Sequence, residues 1–280
     1  MGIRLLGQED EAALDAFLGQ HRDSSMLLRS NLRHWGLVYR PAAFHGQYLA
    51  AFDGERIVAV IGHVWNGMLL MQMPEQAAAL SREVVALSGR RVAGLLGPRE
   101  QVVAAREALG LNAAPLQASY DETLFGLDLA KLVVPKPREA LEIRPVQTED
   151  RETLSAWRVA YGIETLEAED TPEERAAADA WFDRLLPEGS ARVATQGDVL
   201  LSLSAFNASL PDMVQLGGIY TPPAFRRRHY ARSAIAASLI AARENGVQRA
   251  VLFANDVNAI RCYESLGFEA CGEFGLVLFA

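Results

Sequence analysis

The chain is almost without lysine: Lys131 and Lys136 are the two lysines among its 27 basic residues, and the remainder are arginine. Cysteine is nearly as scarce. Cys262 and Cys271 stand outside any CxxC spacing, which argues against a disulfide-stapled scaffold and a thiolate zinc site. The five histidines, His21, His34, His45, His63 and His229, show no paired ligand spacing, so no metal is expected. No apolar run approaches the roughly 18 residues of a membrane span, and the segment from Met1 to Asp10 turns acidic where a secretory leader would become hydrophobic. The start also lacks a myristoylation signal, because Leu6 stands where Ser or Thr is required. These absences lead us to expect a cytoplasmic protein with no membrane partner. Positive charge is in deficit as well. A formal net charge of -8 argues against broad contact with a nucleic-acid backbone, so any anion site must be local.

What is present is an ordinary globular composition, 50% hydrophobic and 22% charged over 280 residues, long enough for about two domains at roughly 150 residues each. The sequence repeats itself once. Ile3-Arg4, Glu9-Asp10, Leu14 and Ala16 align with Ile143-Arg144, Glu149-Asp150, Leu154 and Ala156, and Phe17 meets Trp157. Further on, Ala51 to Gly54 resembles Ala194 to Gly197, and Glu107 to Gly110 resembles Glu264 to Gly267. A repeat of half the chain length points to a duplicated domain, since solenoid periods are about 20 to 50 residues. The proline-bearing stretch 133–138 is the natural seam, dividing the chain into 1–134 and 135–280.

In the second half, Thr148 is placed to cap a helix through Leu154, Trp157 and Tyr161, and Thr171 opens another through Trp181 to Leu185. Three strands follow, at 191–195, 199–207 and 213–220. A basic loop then leads into an alanine-rich helix from Ala231 to Asn245, stopped by Gly246. A strand at 249–254, a short helix at 258–266 and two closing strands at 268–271 and 274–279 complete the order ααβββαβαββ.

These residues resemble the GNAT superfamily of acyl-CoA-dependent N-acyltransferases across about the whole second half. Arg226-Arg227-Arg228-His229-Tyr230-Ala231 follows the family's pyrophosphate motif between a strand and a helix, with His229 standing where the family has its first glycine. Asn258 to Phe268, with Tyr263 before Gly267-Phe268, matches the family's tyrosine-bearing helix. The resemblance implies an α/β fold of two tandem GNAT-like domains, each a mixed central sheet flanked by helices. It also implies that the chain is an enzyme taking acetyl-CoA as acyl donor, with no metal.

Elementary chemistry bears on the first motif independently. A helix N-terminus offers free N–H groups and a positive dipole end, and successive loop amides can form a concave anion nest. The bland reading is a solvated basic patch. By resemblance, Tyr263 is the general acid that protonates the departing thiolate, which a phenol of reference pKa near 10 can do at neutral pH. The plain alternative is a core aromatic on an amphipathic helix. Asn258 would hold the cofactor, or serve as a helix N-cap. Main-chain groups at Ile219, Tyr220 and Thr221 would hold the pantetheine arm and polarise the thioester carbonyl, and Gly217-Gly218 suggests a bulge there. Many relatives have a carboxylate on this strand, but here it offers Gln215. Glu164 is the candidate for base or amine anchor, one of a cluster with Glu167, Glu169 and Asp170 that reads equally as a solvated acidic loop.

The first half has the same succession of elements without that chemistry. Pro74-Glu75-Gln76 replaces the phosphate loop and Arg106 aligns with Tyr263, so this half resembles a degenerate GNAT domain kept for structure or for shaping the acceptor cleft. The expected activity is acetyl transfer to the primary amine of a small molecule or peptide. The acidic chain favours an acceptor with positive charge beyond the reacting nitrogen. Two rivals remain open: a non-catalytic CoA-binding or sensory module, and a dinucleotide-binding oxidoreductase, although no GxGxxG follows any expected strand.

Overall fold

The structure is a computed structural model describing residues 2–136 and 140–280, and of Leu166 the backbone alone. Met1 and, from the expected seam, Pro137 and Arg138 lie outside the described residues. The first half runs β1 (Gly2–Leu5), α1 (Glu11–Gln20), α2 (Met26–Trp35), β2 (Gly46–Asp53), β3 (Arg56–Val64), β4 (Met68–Gln72), α3 (Ala77–Ser88), β5 (Gly94–Pro98), α4 (Arg99–Ala108) and β6 (Leu116–Asp128). The second half repeats that order as β7 (Glu142–Pro145), α5 (Arg151–Leu166), α6 (Pro172–Glu188), β8 (Arg192–Gln196), β9 (Val199–Ser209), β10 (Met213–Tyr220), α7 (Tyr230–Glu244), β11 (Arg249–Ala254), α8 (Val257–Glu264) and β12 (Glu269–Phe279).

Three details differ from the sequence expectation. A short strand, β7, precedes the two helices. It sits at the edge of its sheet, where Pro145 is tolerated and little alternation is needed to signal a strand. The two expected closing strands are one continuous strand, β12, because Gly272-Glu273 stays extended and does not turn. The α5 helix also starts after a 3-10 turn at Thr148–Asp150, so Asp150, not Thr148, occupies its N-cap position. Thr171 does cap α6, accepting from the Glu174 N–H at 3.2 Å.

The chain forms two compact units, one of residues 2–124 with 271–280 and the other of 125–136 with 140–270. This division departs from a cut at 134, because each sheet takes its last strand from the end of a half. In the first unit the strand order is β1-β2-β3-β4-β5, closed by β12, which pairs antiparallel with β5 from Phe274↔Pro98 to Leu278↔Gly94. Val277 and Phe279 thereby enter a core with Leu69, Met71, Leu80, Val84 and Leu95. In the second unit the order is β6-β11-β10-β9-β8-β7. Phe125, Leu127, Leu129 and Leu132 pack there with Leu216, Ile235, Leu239 and Leu252. Each such side chain fully withdrawn from water contributes about 1.5–3 kcal/mol, so a strand carrying several of them is not dispensable.

The repeat seen in the sequence carries a polar device at the same place in each unit. Arg4 forks onto Asp10 with both nitrogens at 2.6 Å, while the Gly7 N–H donates to the same carboxylate at 2.9 Å. Arg144 forks onto Asp150 at 2.7 and 2.8 Å, with the Gln147 N–H at 2.8 Å. Both aspartates are buried, and the pair fixes the turn from the first strand into the first helix. Burial pulls the Asp150 carboxyl up, but the Arg144 fork, the Gln147 N–H and the Arg144 charge outweigh it and hold the group below the ordinary carboxylate value. Among the described residues, no helix is long and apolar enough to cross a membrane.

Two predictions follow from this architecture. A fragment of residues 1–134 is expected to show no cooperative unfolding by circular dichroism, whereas the same fragment joined to 271–280 by a flexible linker regains it; cooperative melting of the bare fragment would show that β12 is dispensable. Asp150→Asn is expected to lower stability at neutral pH by roughly 2–4 kcal/mol. A carboxyl with depressed folded pKa stabilises the fold above its unfolded value near 4 and loses that contribution as pH falls through the folded value. Urea titrations should therefore show a shallower acid decline for the variant, and an unchanged acid slope would remove Asp150 ionisation from the stability of the fold.

Candidate active site

The second unit opens at the C-terminal ends of β10 and β11. These parallel strands pair from Met213↔Arg249 to Gln215↔Val251, and the ladder stops there. Among the described residues, the remainder of β10, from Leu216 to Tyr220, has no strand partner on that side. On its other side the register with β9 slips between Gln215 and Leu216 and again between Gly217 and Tyr220. Gly218 holds φ +68, a left-handed conformation that side chains disfavour, and a Cβ at Gly217 would fall 1.9 Å from the Asn207 amide. The expected bulge is therefore real. Past it, Ser202 of β9 meets the Tyr220 carbonyl at 3.3 Å and the Thr221 hydroxyl at 2.8 Å, fixing the main chain at 219–221. Gln215 is buried, and its side-chain oxygen has no hydrogen-bond partner among the described residues.

From Tyr220 the chain passes through a 3-10 turn at Pro223–Phe225 into the arginine loop. Arg227 and His229 both adopt the left-handed conformation, at φ 61 and 62. His229 is the N-cap of α7, and no side chain caps the helix there. Left-handed residues in such close succession curl amides toward one side, and the first N–H groups of a helix have no preceding turn to pair with. The arginines and His229 are exposed, and Tyr230 and Ala231 are half-buried. Histidine thus adopts the backbone geometry for which glycine would be the easier residue, at a cost of about 1–2 kcal/mol.

Arg226 ties the loop back to the strand. Its Nε donates to the Thr221 carbonyl at 2.9 Å, its terminal nitrogen pairs with Glu164 of α5, and its guanidinium lies 5.8 Å from the Tyr220 ring centre. Glu164 accepts the Tyr220 hydroxyl at 2.7 Å on its other oxygen. Burial raises the Glu164 carboxyl, but the bonds from Arg226 and Tyr220 and the Arg226 charge leave it below the usual value. Tyr220 is pushed up to about 12, by burial first and then by Glu164. A carboxylate held this way is a poor proton acceptor, which favours anchoring over the role of base. The structure thus joins three expected site residues, Glu164, Tyr220 and Arg226, in one hydrogen-bonded group.

Sequence reasoning missed the walls around that group. Trp157 lies 5.9 Å from Tyr220, and Arg158 stands over the rings of Tyr161 and Trp181. Leu154, Trp157, Tyr161 and Glu164 recur at spacings of three and four along α5. That face was legible as a helix stripe, but its upper part borders the bulge instead of filling the core.

Tyr263 is half-buried on α8, with its ring edge-to-face to Phe268 at 6.0 Å and packed against the main core of the unit. The helix is capped by Asp256, which accepts from the N–H groups of Asn258 at 3.0 Å and Ala259 at 2.8 Å. Asn258 is therefore not the N-cap, and its exposed side chain is not needed for that purpose. Because β10 and β11 are parallel, the loops leading into α7 and α8 leave the sheet at the same end, which places 226–231 and 258–263 on one rim. Beside Tyr263, burial pushes the Cys262 thiol up to about 11, which disfavours its thiolate.

The equivalent opening in the first unit is differently furnished. β4 pairs with β3 from His63↔Leu69 to Val60↔Gln72 without a register slip. Gln76 is left-handed at φ 58, at the position His229 takes. The Met73 N–H at the end of β4 donates to the Gln101 side chain of α4 at 2.6 Å, so this main-chain group is satisfied from within the unit. Arg106, aligned with Tyr263, bonds the carbonyls of Leu111 and Asn112 at 3.2 and 3.1 Å, bracing the turn after α4.

A bulged strand parting from its parallel neighbour beside an uncapped helix start leaves main-chain polar groups at one end of the sheet. Residues 154–268 match the model of the Acetyltransferase (GNAT) family. The second unit thus carries a GNAT domain, and the chain is an acyltransferase. No curated protein matches its sequence. Among solved structures, a Drosophila protein superposes with TM-score 0.67 at 15% identity, covering 99% of this chain and 98% of that one. A GCN5-related N-acetyltransferase from Kribbella flavida gives 0.59 at 17%, over 92% and 94%. A tandem GNAT protein from the clavulanic acid biosynthesis pathway gives 0.55 at 14%, over 99% and 97%. At these identities the likeness is one of fold, and it extends over the whole chain as a tandem arrangement. Among the described residues, no three His, Cys, Asp or Glu side chains gather to hold a metal.

His229→Gly should preserve or strengthen acetyl-CoA binding, because glycine takes φ near +60 freely. His229→Pro should weaken it, since proline needs φ near -65 and has no N–H. Calorimetry measures both, with one site per chain expected, and the reverse order of affinities would rule out a backbone nest.

Proposed function

We propose that the protein transfers an acetyl group from acetyl-CoA to a primary amine by direct attack in a ternary complex formed in the second unit. The observation that carries this reading is the left-handed pair Arg227 and His229 at the start of α7, adjoining the unpaired end of β10. The amides at 226–231 hold the pyrophosphate, with arginine charge adding to them, and Asn258 supports the cofactor from the neighbouring loop. The main chain at Ile219, Tyr220 and Thr221 lies along the arm of the donor, where an N–H polarises the thioester carbonyl. The free amine nitrogen bonds to the carbonyl carbon, the carbon–sulfur bond breaks, Tyr263 gives its proton to the departing thiolate, and the proton shed by the new amide nitrogen passes through solvent to restore the phenol. Glu164, held by Tyr220 and Arg226, sets the position of the donor arm and the acceptor mouth relative to each other. The first unit is a degenerate copy that binds no donor, since Gln101 already fills its strand end and Pro74 removes an amide from its loop.

Thiol release from acetyl-CoA against a panel of amines tests the activity. Tyr263→Phe is expected to lower kcat by about 10²–10⁴ while leaving the acetyl-CoA dissociation constant nearly unchanged. Unchanged turnover, with chemistry limiting the rate, would return Tyr263 to the role of a core aromatic. Donor binding without turnover on any amine would favour a sensory module.

A further inference from the structure

The charges around the acceptor mouth are not those the composition suggests. Of the acidic cluster at the end of the first helix of this unit and just beyond it, Glu164 is engaged by Arg226 and Tyr220, and Asp170 pairs with Arg175 at 2.7 Å. On α6, Asp179 accepts the Ser155 hydroxyl at 2.7 Å and Asp183 pairs with Arg151. Glu167 and Glu169 remain on the exposed connection, where water and salt screen them. The pull toward cationic acceptors is therefore largely cancelled at short range.

Arg158 is the opposite case. Its guanidinium carbon lies 5.3 Å from the ring centre of Tyr161 and 5.6 Å from that of Trp181, and it has no hydrogen bond or ion pair among the described residues. It is half-buried. Trp181 in turn lies 3.8 Å from where a Cβ on Gly218 would be, so the cation sits one ring's width from the bulge. Rings over a guanidinium favour the cation and restrict its motion without cancelling its charge. A planar guanidinium held in place, with donors along its edge and no carboxylate partner, matches a carboxylate in two-point geometry.

We propose that the acceptor amine carries a carboxylate, and that Arg158, positioned by Tyr161 and Trp181, binds it and thereby selects the acceptor. The acceptors are then amino acids or short peptides bound through their carboxylate, with the free amine reaching the bulge. This rests on the acyl-transfer reading above, and the test separates the two.

With the intact protein, kcat/KM is compared for 4-aminobutanoate against butylamine and for phenylalanine against phenylalaninamide and 2-phenylethylamine. Within at least one series the carboxylate form is expected to be preferred by about 10- to 100-fold, the size of a charge-assisted contact. Arg158→Gln should collapse that ratio toward one through KM, and Arg158→Lys should restore part of it. Binding is followed in parallel by tryptophan fluorescence with N-acetylphenylalanine and its amide as probes, which needs no turnover. A preference for the uncharged amines, a loss in Arg158→Gln shared equally by both members of a series, or fluorescence binding that ignores the carboxylate would each overturn the assignment. If the carboxylate probe binds through Arg158 but no amine is acetylated, the proposed reaction fails and the carboxylate site stands.

Discussion

Everything at the proposed site depends on the early end of one ladder. β10 and β11 part after Gln215↔Val251, so the polar edge of β10 beyond that point is left without a neighbouring strand. An unpaired strand edge has a marked appetite for hydrogen bonds. The double slip against β9 turns that edge, and Gly217-Gly218 allows the turn because neither position tolerates a side chain without displacement or strain. The arginine loop, the aromatic wall on α5 and α6, and the Tyr263 helix are arranged around that gap.

The two units furnish the corresponding end of the sheet differently. Both keep the Arg–Asp fork, the left-handed residue before the helix and the ββαβα succession. They differ in a few side chains. Gln101 satisfies the Met73 N–H in the first unit, while its aligned partner Asn258 is exposed in the second. A buried polar group must find a partner, and in the first unit the protein supplies one from its own helix. Duplication preserved the scaffold, and the difference lies in who completes the hydrogen bonds.

The strands, helices and arginine loop of the second half were legible because each has a local cause: alternation for β9 and β10, alanine richness for α7, and a basic run between strand and helix. The Ile-Arg and Glu-Asp matches that revealed the repeat are largely the fork that closes each first turn, so sequence identity there reflects a geometric need. Less legible were features set by distant residues. Pairing of β12 with β5 joins parts of the chain far apart, and nothing near Phe274 announces its partner. The neutralisation of Glu164 by Arg226 and Tyr220, and the bare charge of Arg158, required knowing which side chains meet across α5, α6 and β10. The acidic cluster therefore looked more negative in sequence than it is in place.

The exchange of closing strands gives the chain a calendar. The first unit's β5 waits for residues 271–280, which leave the ribosome after the whole of the second unit. At about 5–20 residues per second that wait lasts on the order of ten to thirty seconds. During it, Gly94–Pro98 presents one edge to the cell without its eventual neighbour. Its brevity and its terminal proline are the means by which natural edges discourage foreign strands. The second unit already has Phe125–Asp128 behind it when β11 emerges, so the half that carries the arginine loop can close its sheet first, and the half whose Met73 N–H is met by Gln101 is the last to be completed.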